Sequence, residues 1–328
     1  MRRRIGCSMR KTAARVVGCL AVAAALLGGR VVTSAAEKKL PPAEDLELDT
    51  ADGVKMAATF YPGTNGRETV PVVLLHMWKR DRTDYKDLAQ ALQARGHAVL
   101  VPDLRGHGDT PAAASSTKSE KSDPARLQPK HFAAMVLDLD AVKNWLWKKN
   151  NEGALNLNKL CIVGAEMGAS VGLLFAGHDW FPRGRDYPYL GVQQYQLGAF
   201  VKALVLLSPE KQFKGLDAVR TTKGLGSLCE KQLSVMIIVG AENKKLTAEA
   251  NDLYDLLKPI HIDPKKEEKQ EQKTLWLGEL KTSLQGTRML GVKELNVESN
   301  IAKFIDLRLV GSDAAKKLTW KELKNPYK

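Results

Sequence analysis

Short, unbroken apolar runs recur along this chain, with segments between them whose apolar residues fall three and four apart. Val70–Leu75, His97–Pro102, Leu160–Val163, Val201–Leu207 and Leu233–Val239 are runs without polar alternation, and Thr274–Leu277 is a shorter one. Such runs predict strands covered on both faces. The intervening periodicity predicts helices. One spans 84–95, with Leu88 and Leu92 a turn apart and Gly96 as its C-cap. A second spans 132–147, with Val136, Leu139, Val142 and Leu146 on one side. Others cover 169–176, 247–257 and 295–307. Ahead of them, Leu46–Thr50 and Val54–Phe60 flank Asp52-Gly53, the signature of a β-hairpin. A hairpin followed by repeated strand–helix units predicts an α/β fold, a mostly parallel central sheet with helices on both faces, over residues 46–310. No internal repeat or second domain is visible.

The N-terminus stands outside this pattern. Arg2, Arg3, Arg4, Arg10, Lys11 and Arg15 precede an apolar run, Val16–Leu27, and Ser34 and Ala36 are small residues suited to peptidase cleavage. Residues 1–36 therefore read as a signal peptide, cleaved after Ala36, and the protein as secreted or periplasmic in a bacterium. The apolar run is short of the roughly 20 residues a membrane span needs, so no stable span is expected after cleavage. Residues 37–45 read as a linker and 311–328 as a basic tail. The signal also changes the meaning of the charge. It carries seven basic residues and no acids, so of a net +13 only +6 belongs to the other 292 residues. Lysines are spread rather than clustered there, which argues against nucleic-acid binding. Cys161 and Cys229 remain after cleavage, and sequence leaves open whether they are bridged.

In a parallel sheet, chemistry collects at the carboxyl ends of the strands. Those ends hold His76-Met77-Trp78, Asp103-Leu-Arg-Gly-His-Gly108, Gly164-Ala-Glu-Met-Gly168, Ser208-Pro209 and Glu242-Asn243. The third has the layout of a nucleophile elbow, small residues around a strained central residue between strand and helix, but its centre is Glu166. No His/Cys/carboxylate group has metal-ligand spacing, and no cofactor is expected. Gly164-x-x-x-Gly168 is not a dinucleotide fingerprint, because a carboxylate there repels a pyrophosphate. Asp138 and Asp140 fall on an amphipathic helix and read as solvated. The aromatic stretch Trp180–Tyr189, within an insert over 178–200, reads as a lid, a partner surface or a loop packed on the sheet edge.

The strand ending in His76, the Asp103-Leu-Arg-Gly-His-Gly108 loop and the elbow, in that order, resemble the α/β-hydrolase superfamily, in its serine esterase and aminopeptidase-like branch. The resemblance covers Leu46 to Leu309. It implies that His76 and Met77 shape an oxyanion hole, that position 166 holds the nucleophile, that the acid follows the strand ending at Val239, and that the base is a His after the last strand. This chain departs at all three roles. It has Glu166 at the elbow, Asn243 (or Glu242) at the acid position, and no His among Gly278–Gly286; His107 and His261 are the remaining candidates for a base. A Ser hydroxyl needs a base, and the acid orients that base. The sequence therefore leads to a degenerate member, a pseudo-hydrolase. Its strand-end cleft, lined by His76, Met77, Trp78, Glu166, Met167 and Asn243, binds a small ligand or protein partner. Glu166 is expected to fold onto the N–H groups of Met77 and Met167. The alternative is an active hydrolase of esters or peptides built on unorthodox residues such as Glu166; a structural envelope role, suggested by the basic tail, is a third reading.

Overall fold

The computed structural model describes residues 39–115, 123–181, 198–229, 232–262, 269 and 272–324. The expected signal segment 1–36, most of the insert after Trp180, and most of the charged stretch 264–273 lie outside them. From Leu40 onward the chain forms one compact unit.

Ten strands and seven helices follow one another: β1 (Glu44–Asp49), β2 (Lys55–Tyr61), β3 (Pro71–Leu75), α1 (Lys86–Ala94), β4 (Ala98–Pro102), α2 (Pro129–Asn151), β5 (Leu160–Ala165), α3 (Met167–Trp180), β6 (Val201–Leu207), β7 (Gln212–Phe213), β8 (Leu216–Asp217), α4 (Ala218–Cys229), β9 (Ser234–Gly240), α5 (Lys244–His261), β10 (Leu275–Leu280), α6 (Val297–Asp306) and α7 (Asp313–Lys316). Eight strands form one sheet in the order β1-β2-β4-β3-β5-β6-β9-β10. The β1–β2 hairpin and the β2–β4 pairing are antiparallel, and every other pairing is parallel.

Both faces are covered, which is why the strands are apolar without alternation. Val72 and Leu74 of β3, Cys161 and Val163 of β5, and Ala203 and Val205 of β6 pack toward α1 and α6. Val73 and Leu75, Leu160 and Ile162, and Leu204 and Leu206 pack toward α2, α3, α4 and α5. Helix α3 is apolar over most of its surface because it is buried along most of its length, with His178 its exposed residue. The two cysteines sit on opposite faces, Cys161 under α1 and α6 and Cys229 under α2–α5, and no disulfide joins them. Among the described residues no helix is long and apolar enough to cross a membrane.

The parallel strands β3, β4, β5, β6, β9 and β10 end along one rim of the sheet. This rim carries His76, Asp103, Glu166, Ser208, Ala241 and Lys281. The opposite rim is closed by the segment after Gly311. There Trp147 and the asparagines 150, 151, 156 and 158 hydrogen-bond carbonyls of Leu318, Thr319, Lys321 and Leu323 at 2.8–3.2 Å. Trp320 answers by donating to the Asn150 carbonyl at 3.0 Å, and Arg67 stacks on its ring.

Candidate functional site

The elbow is real in its backbone. Strand β5 stops at Ala165, Glu166 takes φ 46° and ψ −110°, and α3 begins at Met167. A side chain other than glycine's rarely adopts such a φ, and this strain is what a nucleophile elbow imposes on its central residue. Both flanking glycines are required. A Cβ at Gly164 would stand 2.3 Å from the Gly168 carbonyl oxygen, and one at Gly168 would stand 2.2 Å from that of Leu75. The Glu166 N–H donates to the Leu207 carbonyl at 2.9 Å, tying the elbow to the end of β6.

The Glu166 side chain does not do what the sequence suggests. It caps nothing at the N-terminus of α3. No hydrogen bond joins its carboxylate to Met77 or Met167. Instead the side chain, 19% exposed, reaches across to the far loop, where Arg288 Nη2 stands 3.7 Å from Oε1. Gly286 lies against it so closely that a Cβ there would be 3.2 Å from Glu166 Cγ. Burial pushes the carboxyl above its ordinary range, and Arg288 draws it part of the way back. A second carboxylate, Glu210, is also pushed up by burial, with Lys245 opposing and Glu249 and Glu166 reinforcing the shift. The backbone N–H groups of Met77 and Met167 make no hydrogen bond among the described residues.

No histidine reaches this carboxylate. His76 is fully buried and doubly engaged: its Nε2 accepts from the Leu104 N–H at 2.9 Å, so its Nδ1 carries the proton and donates to the Met77 carbonyl at 2.9 Å. It joins the end of β3 to the loop after β4. Its ring lies 5.0 Å from that of His107, which is also buried and bonds the Arg105 carbonyl through Nδ1 at 3.0 Å. Burial lowers both imidazoles to about 4, against the opposing bond from His76 to Met77; for His107 the charge of His76 adds to the fall. His261, the other candidate base, is the last residue of α5, buried and bonded to Thr274 Oγ1 at 3.0 Å. Thr274 precedes β10, so His261 sits at the amino end of the sheet, the wrong rim.

The acid and base positions are equally committed. Asn243 is the N-cap of α5, its Oδ1 accepting from the Leu246 N–H at 3.2 Å, while Glu242 is exposed. In the loop beyond β10, Gln285 is a buried polar side chain. Its Oε1 accepts from Ser208 Oγ at 2.6 Å and its Nε2 donates to the Gly240 carbonyl at 2.8 Å. The Gly286 N–H closes the network onto Ser208 Oγ at 3.0 Å. A neutral amide so held is a structural tie between the ends of β6, β9 and β10.

Other expectations meet the structure as follows. Met77 and Met167 are buried, so with His76 they offer a ligand no side-chain surface; what the two methionines offer is backbone N–H. Trp78 remains half-buried at the rim, with Lys79 and Lys214 each 4.5 Å from its ring centre and its indole N–H on the Pro124 carbonyl at 3.3 Å. Asp138 is not solvated. It is buried and ion-paired to Arg105, whose guanidinium also grips Asp52 at 2.7 Å, so this loop arginine pins the β1–β2 turn to α2. Asp140 pairs with Lys143 and His178. Ser208 is one of the strand ends the sequence marks, whereas nothing in the sequence singles out Glu210, Gln285 and Arg288. The signal that could have found the last two is Gly286, whose φ of 57° marks a tight turn beyond the last strand. Among the described residues no three His, Cys, Asp or Glu side chains are grouped to hold a metal.

A family model described as serine aminopeptidase, S33, matches residues 68–223. That span takes in the oxyanion turn, the Asp103–Gly108 loop and the elbow, and ends before Asn243 and Gln285. Two curated relatives, uncharacterised proteins from two strains of Mycobacterium tuberculosis, are each 25% identical over 136 residues. The match covers 42% of this chain and 42% of theirs, so the chain spans less than half the length of these relatives. Among solved structures, an esterase from Pyrococcus furiosus superposes with a TM-score of 0.55 at 17% identity, over 81% of this chain and 91% of its own. A dienelactone hydrolase from Anabaena variabilis gives 0.54 at 14% identity, over 84% and 99%. An acylaminoacyl peptidase from Pyrococcus horikoshii gives 0.57 at 11% identity, over 85% and 44%. This sheet order, this elbow and these neighbours show that the chain has the α/β-hydrolase fold.

Proposed function

We propose that this protein is an exported α/β-hydrolase-fold protein that has left the hydrolytic reaction and keeps the strand-end cleft for binding a small ligand or a protein partner. The observation that carries the reading is the surroundings of Glu166. The strained elbow presents a carboxylate with no imidazole beside it, and the residues at the acid and base positions are amides held in local hydrogen bonds. Acyl transfer needs a nucleophile, a base to activate it or its water, and an orienting group. A carboxylate nucleophile still needs a base to release the ester it forms. Two unengaged N–H groups, a desolvated carboxylate and Arg288 suit a polar ligand that both donates and accepts.

Retention of the strained backbone at position 166 favours one competing reading, an active ester or peptide hydrolase using Glu166 directly. A panel of acyl esters and aminoacyl amides separates the two. The expected result is no turnover above buffer, together with ligand-dependent thermal shifts that Glu166→Gln removes. Turnover by the wild-type chain that is abolished by Glu166→Gln would overturn the proposal. Export is tested by following the full chain in cell fractions; retention of residues 1–36 in the cytoplasmic fraction would refute it.

A further inference from the structure

A cavity lies away from the elbow. Between α6 and the outer strand β10 runs an apolar cleft of about 380 Å³, lined among others by Trp276, Gly278, Leu280, Phe304, Asn300 and Lys303. That volume lies within the range of small-molecule sites, roughly 300–1,000 Å³. Three strand spacings, roughly 14 Å, separate β10 from the elbow strand β5.

One glycine leaves room in the floor of the cleft. Residues 276, 278 and 280 of β10 point to the same face, toward α6. Trp276 and Leu280 fill their places, and Trp276 meets Phe304 edge-on at 5.2 Å. Gly278, between them, leaves a notch. Nothing in the backbone demands glycine there: its φ is not positive, and a Cβ would find nothing nearer than 3.8 Å. Glycine within a strand weakens it, and one without a steric reason marks a place kept open for an approaching group.

The charge of the lining is one-sided. Asn300 and Lys303 sit one turn apart on α6, and neither side chain has a hydrogen-bond or ion-pair partner among the described residues. The nearest carboxylate on the strand, Glu279, points to the other face, where it accepts from Asn251 at 2.6 Å. Lys273 lies 5.8 Å from the Trp276 ring centre, adding to the positive side.

We propose that this cleft binds an unbranched alkyl carboxylate. Its chain lies over Gly278 between Trp276 and Leu280, and its carboxylate meets Lys303 and Asn300. The site is separate from the elbow cleft and does not depend on how Glu166 is used.

The test is calorimetric titration of the full chain with dodecanoate below its micelle concentration, with dodecanol and dodecylammonium as comparisons. The wild type is expected to bind dodecanoate saturably, one to one, and in preference to both comparisons. Gly278→Leu, which fills the notch, is expected to weaken binding at least roughly tenfold, and Lys303→Glu by about tenfold with a gain for dodecylammonium. Lys303 is exposed, so its variant tests the proposal even where Gly278→Leu fails to fold. No binding, equal affinity for the alcohol, unchanged affinity in both variants, or loss in Glu166→Gln instead would each overturn it. So would a solution dimer that closes the β10 edge.

Discussion

At the scale of single residues, the strand-end rim is held by groups that cannot ionise freely. His76 donates to one backbone atom and accepts from another, and so supports the turn that offers the Met77 N–H. That arrangement needs the neutral imidazole, and its neighbour His107 is buried beside it. Both have folded-state values of about 4, below the ordinary 6.5. Above pH 6.5 neither the folded nor the unfolded chain protonates them. As pH falls from 6.5 to 4, the unfolded chain takes up protons that the folded chain refuses, and stability is lost, by at most about 3 kcal/mol per histidine. Urea unfolding at pH 7 and pH 4.5 is expected to show a lower midpoint at the acid pH. His107→Asn, which can still donate to the Arg105 carbonyl, is expected to shrink that difference. A midpoint that does not move between the two pH values would show that the rim histidines are not kept neutral.

Elements show where sequence was informative and where it was not. The strands and the elbow were legible because double coverage writes itself as unbroken apolar runs, and because the Gly164–Gly168 spacing answers to a local steric demand. Helix α4 and the small β7–β8 hairpin were not. Their sequence, with Thr221, Thr222 and Gly224, has weak helix propensity and is held by burial of Leu216, Thr222 and Leu225. The site residues Gln285 and Arg288, and the tie that Ser208 makes, were invisible for a related reason. Ser208 meets Gln285 across 77 positions, and no local pattern announces such a contact. The segment after Gly311 is a similar case. As a sequence it is lysine-rich and reads as a tail, yet asparagines of α2 and of the turn before β5 bind it as a strap. Asn150 is its central tie, donating to the Lys321 carbonyl and accepting from the buried Leu157 N–H, each at 3.0 Å. Asn150→Ala leaves that N–H without a partner and is expected to cost about 2 kcal/mol. Thermal unfolding followed by circular dichroism should show a clear fall in Tm, and removal of residues 318–328 a larger one. An unchanged Tm in both would mean that the strap contributes nothing to folding.

For the whole molecule, hydrolysis in this fold is a property of three separate strand ends brought together by the sheet. Here the sheet is intact and all three ends arrive: the elbow after β5, the turn after β9 and the loop after β10. The proposed reading turns on the chemistry delivered to each. Glu166 stands at the first, Asn243 is spent as a helix cap at the second, and Gln285 ties Ser208 to Gly240 at the third. These side chains do local structural tasks, so on the proposed reading a single substitution at position 166 does not build the reaction. Glu166→Ser places a hydroxyl on a correctly strained elbow, beside unengaged N–H groups, but supplies nothing to take its proton. Its rate on a p-nitrophenyl ester is therefore expected to be no faster than that of the wild type, although the substitution removes a half-buried charge and should leave the fold intact. Measured against the wild type over pH 6–9, a flat, background-level profile is the expected outcome. A profile that rises with a single titration would reveal a working base near position 166, and the reading of this cleft as a binding site would give way to that of an enzyme.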